Sequence, residues 1–186
     1  LLGFKQIKIN VVVQRGINEH TLVDTARYFK GTGAIVRFIE FMDVGTKNGW
    51  ELSKVFTSRE VIETINAEFP LEPVEHNYKG EVASRYRYVD GSGEIGVISS
   101  VSEPFCGDCT RARLSTDGKL ITCLFASGGT DLKTPMRSGA TDAELVEIIT
   151  SVWTGRSDRY SELRSKDTEF NTDSDGSKVE MYYIGG

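Results

Sequence analysis

All three cysteines of the chain fall in one stretch, "CGDCTRARLSTDGKLITC", as Cys106, Cys109 and Cys123. Two residues separate the first pair, and thirteen separate Cys109 from Cys123. In a C-x2-C knuckle Gly107 permits a tight turn, so two thiolates and nearby backbone N–H groups can meet one soft metal centre. An odd count rules out a closed disulfide framework, and the clustering argues against three reduced cysteines with no common task. A structural zinc site needs a fourth ligand. The only histidines, His20 and His76, are distant in sequence, and Asp108 would have to point out of the knuckle that contains it. A [4Fe-4S] cluster on three thiolates leaves one iron open to a substrate atom, so three cysteines favour a cluster over zinc. The alternative is a zinc-knuckle binding module without chemistry.

Arg111 and Arg113 follow the second cysteine directly. Two apart in an extended segment, they share a face, and two guanidiniums beside a metal centre make a preorganised site for carboxylate or phosphate. A solvated basic edge strand is the plainer reading of the same spacing. Lys8 and Asn10 share a face of a strand expected to be central, where an unpaired inward lysine is costly unless a ligand meets it. Met42, taken alone, reads as packing.

These residues need elements to hold them. Period-2 alternation puts Lys8, Asn10 and Val12 on one face of a first strand and Ile7, Ile9, Val11 and Val13 on the other. Asn18 is the expected N-cap of a helix whose stripe is Leu22, Ala26 and Phe29 and whose stop is Gly31. A second strand spans residues 33–42, so the two strands should be parallel neighbours, with active groups near Asn10 and residues 37–42. Thr57 and Glu60 form a capping box for a second helix, which Pro70 and Pro73 end. Hairpins are expected to turn at Asp90 to Gly93 and at Asp117-Gly118. The later hairpin folds Cys123 back toward the stretch after Cys109. A last helix opens at the Thr141/Glu144 box with the stripe Leu145, Ile148, Ile149, Val152 and Trp153, and residues 155–180 read as irregular. The class is α/β: β/α units over residues 1–70, then an antiparallel extension over residues 71–186.

At 186 residues, with 39% apolar and 26% charged side chains, the chain can bury a core of its own. A formal net charge of -5 argues against nucleic acid or a membrane surface as partner. No apolar run approaches the ~18 residues of a membrane span. Clustered thiols without a disulfide pattern point to a cytoplasmic protein.

The segments "KINVVVQRGIN", "VRFIEFMDVG", "PFCGDCTRARLSTDGKLITCLF" and the terminal "GG" occur in the order that marks one family. In them the chain resembles the C-terminal part of the MoaA family of GTP 3′,8-cyclases, radical S-adenosylmethionine (SAM) enzymes of molybdenum cofactor biosynthesis. The cysteine block is highly specific; the strand segments alone are weak. The resemblance implies the C-terminal portion of an incomplete (β/α)6 TIM-like barrel, followed by an extension that carries an auxiliary [4Fe-4S] cluster. It implies Cys106, Cys109 and Cys123 as cluster ligands, with the open iron binding guanine. It further implies Lys8, Arg111, Ala112 and Arg113 at GTP, Met42 at SAM, and Gly185 and Gly186 as a tail reaching into the active site. The full enzyme would convert GTP to 3′,8-cyclo-7,8-dihydro-GTP after abstraction of H3′. The C-x3-C-x2-C motif of the SAM-cleaving cluster is absent from this sequence, so no radical-generating residue is assigned. With the Met-less start, the expectation is the C-terminal half of a longer enzyme, inactive alone. It should self-associate, as a homodimer or otherwise, through the exposed barrel edge at Lys8 to Val13.

Overall fold

The structure is a computed structural model that describes residues 3, 6–164 and 178–184. The chain forms two compact units, residues 1–42 with 50–108, and residues 43–49 with 109–186.

In the first unit, β1 (Lys8–Val13), α1 (Leu22–Phe29) and β2 (Ile35–Glu40) form the expected βαβ unit. The two strands pair in parallel, from Lys8 opposite Ile35 to Val13 opposite Glu40. Helix α2 (Ser58–Glu68) leads into β3 (Leu71–Val74), β4 (Ser84–Tyr88) and β5 (Glu94–Ile98). The sheet order is β1-β2-β5-β4-β3, with β5 parallel to β2 and antiparallel to β4. Residues beyond 70 thus complete the sheet that the βαβ unit begins. The hairpin between β4 and β5 turns where Asp90 Oδ1 accepts the Ser92 N–H at 3.0 Å and Gly91 takes φ +74°. A side chain there would meet the steric penalty of the left-handed region.

Helices α1 and α2 cover one face of this sheet. Leu22, Ala26, Val61 and Ile65 pack with Val13, Val36, Phe38, Ile95 and Val97. Each large side chain buried in this way contributes about 1.5–3 kcal/mol. The opposite face carries a registered row of Asn10, Arg37, Gly96 and Arg85. A Cβ at Gly96 would lie 3.3 Å from Arg37 Cγ and from Ala83 Cβ, so glycine leaves room for the Arg37 stem.

Three sequence expectations change in this unit. Strand β1 lies at a sheet edge, as the exposed edge expected at Lys8 to Val13 requires and against the central position expected for Lys8 and Asn10; Lys8 is exposed, which removes the cost of an inward lysine. Asn18 stands at the N-cap of a 3-10 turn, Glu19–Thr21, that runs into α1, not at the start of α1 itself, and its side chain makes no cap hydrogen bond. Asn18 instead fastens the loop, accepting the Gln14 N–H at 2.8 Å and donating to Val12 O at 2.8 Å. Pro73 does not end α2 but sits within β3, the other sheet edge, where a missing N–H is tolerated.

In the second unit, β6 (Arg113–Leu114), β7 (Lys119–Ile121) and β8 (Thr130–Asp131) form a small antiparallel sheet. The turn between β6 and β7 falls at Asp117-Gly118 as expected, with Gly118 at φ +84°. Helices α3 (Lys133–Arg137), α4 (Asp142–Thr154) and α5 (Tyr160–Arg164) follow, and a 3-10 turn spans Met181–Tyr183. The Thr57/Glu60 and Thr141/Glu144 boxes both close reciprocally, opening α2 and α4. The stripe of α4 is only partly covered: Leu145, Ile148 and Val152 are half-buried, while Ile149 and Trp153 are exposed. Helix α5 occupies part of the segment expected to be irregular. Among the described residues no helix is long and apolar enough to cross a membrane.

Candidate functional site

Cys106 lies in a 3-10 turn, Cys106–Asp108, at the end of the first unit. The loop that delivers it is anchored from beneath the sheet. Glu40, at the end of β2, is buried on the face of Val36 and Phe38. Its Oε1 accepts the Ser58 N–H at 2.7 Å and the Ser102 hydroxyl, and its Oε2 accepts the Val101 and Ser102 N–H groups, both at 2.8 Å. One carboxylate therefore ties the start of α2 to the chain four residues before Cys106. A buried carboxylate is tolerable only when satisfied in this way.

In the second unit, residues 109–112 lead into β6 without regular structure. Only Arg113 enters the ladder, opposite Ile121, yet exposure alternates over half-buried Arg111, exposed Ala112 and half-buried Arg113. That alternation matches the shared face their spacing predicts. Arg111 Nη2 lies 3.5 Å from Cys109 Sγ. Burial alone would push the Cys109 thiol up, but the Arg111 backbone N–H and the Arg156 and Arg111 guanidiniums outweigh it and hold the pKa below the ordinary value. Burial and the like charge of Arg111 lower the Arg113 pKa, while Cys109 and Cys123 oppose them. Arg113 thus lies in the field of both thiols. Cys123 Sγ accepts the Phe125 N–H at 3.5 Å.

No disulfide joins any two of the three cysteines. Among the described residues no three His, Cys, Asp or Glu side chains are gathered as a metal site. The donor set fits a thiolate-ligated group in kind, three cysteines with the Arg111 guanidinium 3.5 Å from one sulfur, although the three thiols are not gathered around one point.

Arg156 was not legible as a site residue in the sequence. Its Nη1 donates to the carbonyls of Cys109 at 2.9 Å and Arg111 at 3.3 Å, and its Nε to Asp158 Oδ2 at 2.9 Å. No local spacing links it to the cysteine block. A second group missed by sequence is Asp43, Tyr160 and Lys178. Lys178 Nζ donates to Asp43 Oδ2 at 2.8 Å and to Tyr160 Oη at 2.7 Å, and Tyr160 Oη to Asp43 Oδ2 at 2.6 Å. Burial raises the Tyr160 pKa, with the Asp43 carboxylate adding to it. Burial would lower that of Lys178, but Asp43 and Tyr160 raise it on balance. Glu180 joins the same clasp, accepting the Thr46 N–H at 2.9 Å and its hydroxyl at 2.8 Å. Glu40 did leave a signal, because period-2 reading puts an acid on the apolar face of β2.

The remaining expected residues are dispersed. Lys8 is exposed on β1. Burial would raise the Glu81 pKa; hydrogen bonds from Asn77, aided by the charges of Arg85 and Lys8, lower it on balance. Met42 is half-buried at the last position of the first unit before residues 43–49. Gly185 and Gly186 lie outside the described residues.

Residues 34–162 match the family model described as Molybdenum Cofactor Synthesis C. The chain is 50% identical over 184 residues to a GTP 3′,8-cyclase of Xanthomonas axonopodis pv. citri (strain 306), covering 99% of this chain and 53% of that protein. It is 47% identical over 204 residues to a GTP 3′,8-cyclase of Acidothermus cellulolyticus, covering 99% of this chain and 56% of the relative. With the enzyme of that name from Staphylococcus saprophyticus, identity is 48% over 186 residues, covering 100% and 54%. The chain spans about half the length of these curated relatives. With the cysteine block, β2, β5 and α4 all inside the matched segment, the chain belongs to the Molybdenum Cofactor Synthesis C family.

Proposed function

We propose that this chain is the GTP-binding, auxiliary-cluster half of a radical SAM GTP 3′,8-cyclase in molybdenum cofactor biosynthesis. The observation that carries the reading is the contact of Arg111 Nη2 with the Cys109 sulfur at 3.5 Å, with half-buried Arg113 two residues further on. Family membership supports it. Cys106, Cys109 and Cys123 would hold a [4Fe-4S] cluster, which supplies, when bound, an iron with an open coordination position for guanine. Two residues of chain separate Cys106 from Cys109, so their Cα atoms can be at most about 11 Å apart.

The work of the chain's own residues is binding and orientation. Arg111 and Arg113, with the Ala112 backbone between them, present forked donors to anionic oxygens of GTP, and Lys8 offers a point charge on the polar sheet face. Such fixed donors orient the ribose and base before reaction without needing to reorganise. The parallel strands β1, β2 and β5, with helices on one face and a polar row on the other, suit an arc of an incomplete (β/α)6 barrel whose lumen is the polar face. Met42 at the end of that arc would meet SAM, and the Gly185-Gly186 tail would enter the active site. Three cysteines clustered in one short stretch, without a disulfide pattern, suit a reducing, cytoplasmic setting.

The test is anaerobic reconstitution of the full-length protein, iron and sulfide analysis, and calorimetric titration of GTP. Arg111→Ala and Arg113→Ala should each weaken binding by about one to two decades, and metal-free protein should bind weakly. Equal affinity in wild type, both variants and metal-free protein would overturn the reading. One colourless zinc per chain without iron would favour the zinc-knuckle module.

A further inference from the structure

Residues 109–112 have no regular structure of their own, yet they must present a thiol and a guanidinium on one side. Their backbone carbonyls need donors, and a single group supplies two. Arg156 Nη1 reaches Cys109 O at 2.9 Å and Arg111 O at 3.3 Å, so one nitrogen bridges carbonyls two residues apart. That bridge fixes the spacing of the two carbonyls and with it the local backbone from which the Arg111 side chain leaves.

Arg156 is itself immobilised. Its side chain is only 12% exposed, its Nε is paired with Asp158 Oδ2 at 2.9 Å, and its guanidinium lies 5.0 Å from the centroid of the Trp153 ring. Trp153 belongs to the last turn of α4, so the segment is referred to a thirteen-residue capped helix rather than to another loop. A lysine could reach one carbonyl but could not also satisfy Asp158 and lie flat on the indole.

We propose that Arg156 is a positioning residue for the Cys109–Arg113 segment, fixing the backbone from which Arg111 meets the anionic ligand. The consequence for GTP rests on the function proposed above; the consequence for the segment does not. Arg156 acts through Arg111 and needs no contact with nucleotide.

The experiment uses the full-length protein with Arg156→Ala, Arg156→Lys, Arg111→Ala and the double variant Arg156→Ala/Arg111→Ala. Hydrogen exchange read by mass spectrometry should accelerate about tenfold or more in the peptide over residues 109–113 of both Arg156 variants, while β7 and α4 keep wild-type rates. For GTP, Arg156→Ala should weaken binding about tenfold, Arg156→Lys should not restore it, and the double variant should bind no worse than Arg111→Ala. Wild-type exchange over residues 109–113 in Arg156→Ala would overturn the proposal. Losses that multiply in the double variant would also overturn it, because Arg156 would then act independently of Arg111. If Arg156→Ala does not fold, Asp158→Asn, which loosens Arg156 without removing it, must reproduce the local exchange or the proposal fails. Wild-type protein that ignores GTP would sink the proposed function and leave the exchange experiment to decide the role of Arg156.

Discussion

Lys178 Nζ meets Asp43 Oδ2 at 2.8 Å although 135 positions separate them in the chain. The pair joins residues 43–49, which follow Met42, to the segment 178–184 that precedes the terminal glycines. Val179 extends the tie, donating its N–H to Ala126 O at 2.9 Å, three residues after Cys123. Within the second unit, one strap therefore touches the segments that adjoin two of the residues assigned to the site.

Gly45 is the weak point of that strap. It takes φ +68°, and an added Cβ would lie 2.2 Å from Glu180 Oε2. Gly45→Ala combines a left-handed strain with a displaced carboxylate and should destabilise the protein by about 1–3 kcal/mol. Urea unfolding measures this. Glu180→Ala alone should cost less, since it removes the obstacle but keeps the glycine.

The Asp43–Tyr160–Lys178 cluster sets an alkaline limit. Lys178 and Tyr160 both have folded pKa values above their ordinary ones. Their contribution to stability is fully present below the ordinary lysine and tyrosine values and is lost as pH rises through the raised ones. Unfolding midpoints followed from pH 8 upward should fall less steeply in Lys178→Met. That variant should already be about 2–4 kcal/mol less stable at neutral pH, because the buried Asp43 carboxylate loses a partner.

On the acid side the two hairpin turns titrate together. Lys30 and Ser92 hold the Asp90 carboxyl at about 2, and Ser115 and Tyr183 hold that of Asp117 at about 2. Both pKa values are depressed, so their stabilisation is present above the ordinary aspartate value and declines as pH falls toward 2. Carboxyl carbon NMR titration should report both values near 2. Lys30→Met should return Asp90 toward the ordinary range and leave Asp117 unchanged.

Glu40→Gln should be more damaging than its size suggests. Both carboxylate oxygens only accept, and a glutamine amide must turn an NH2 toward backbone donors of Ser58 or of Val101 and Ser102. A loss of about 2–4 kcal/mol is expected by denaturant unfolding. Hydrogen exchange should quicken over residues 99–105 ahead of Cys106.

Local chemistry in the sequence was enough to determine the βαβ unit, both capping boxes and both hairpin turns. Each rests on residues a few positions apart, as with Thr57 and Glu60 or Asp117 and Gly118, so neighbouring letters carry the signal. The pairing of Arg111 with Arg113 was legible for the same reason. What only the tertiary structure decided depends on groups far apart in the chain. The sequence offered both a central and an edge position for the Lys8 strand, and strand order decided for the edge, which leaves Lys8 exposed. Asn18 keeps an N-cap position, on the 3-10 turn before α1, but its side chain turns to Gln14 and Val12, partners that periodicity does not register. Arg156 meets Cys109 across 47 positions and Lys178 meets Asp43 across 135, separations at which no spacing rule operates. Such contacts exist because buried carbonyls and carboxylates must find donors wherever the fold brings them, and that requirement is met in three dimensions rather than along the chain.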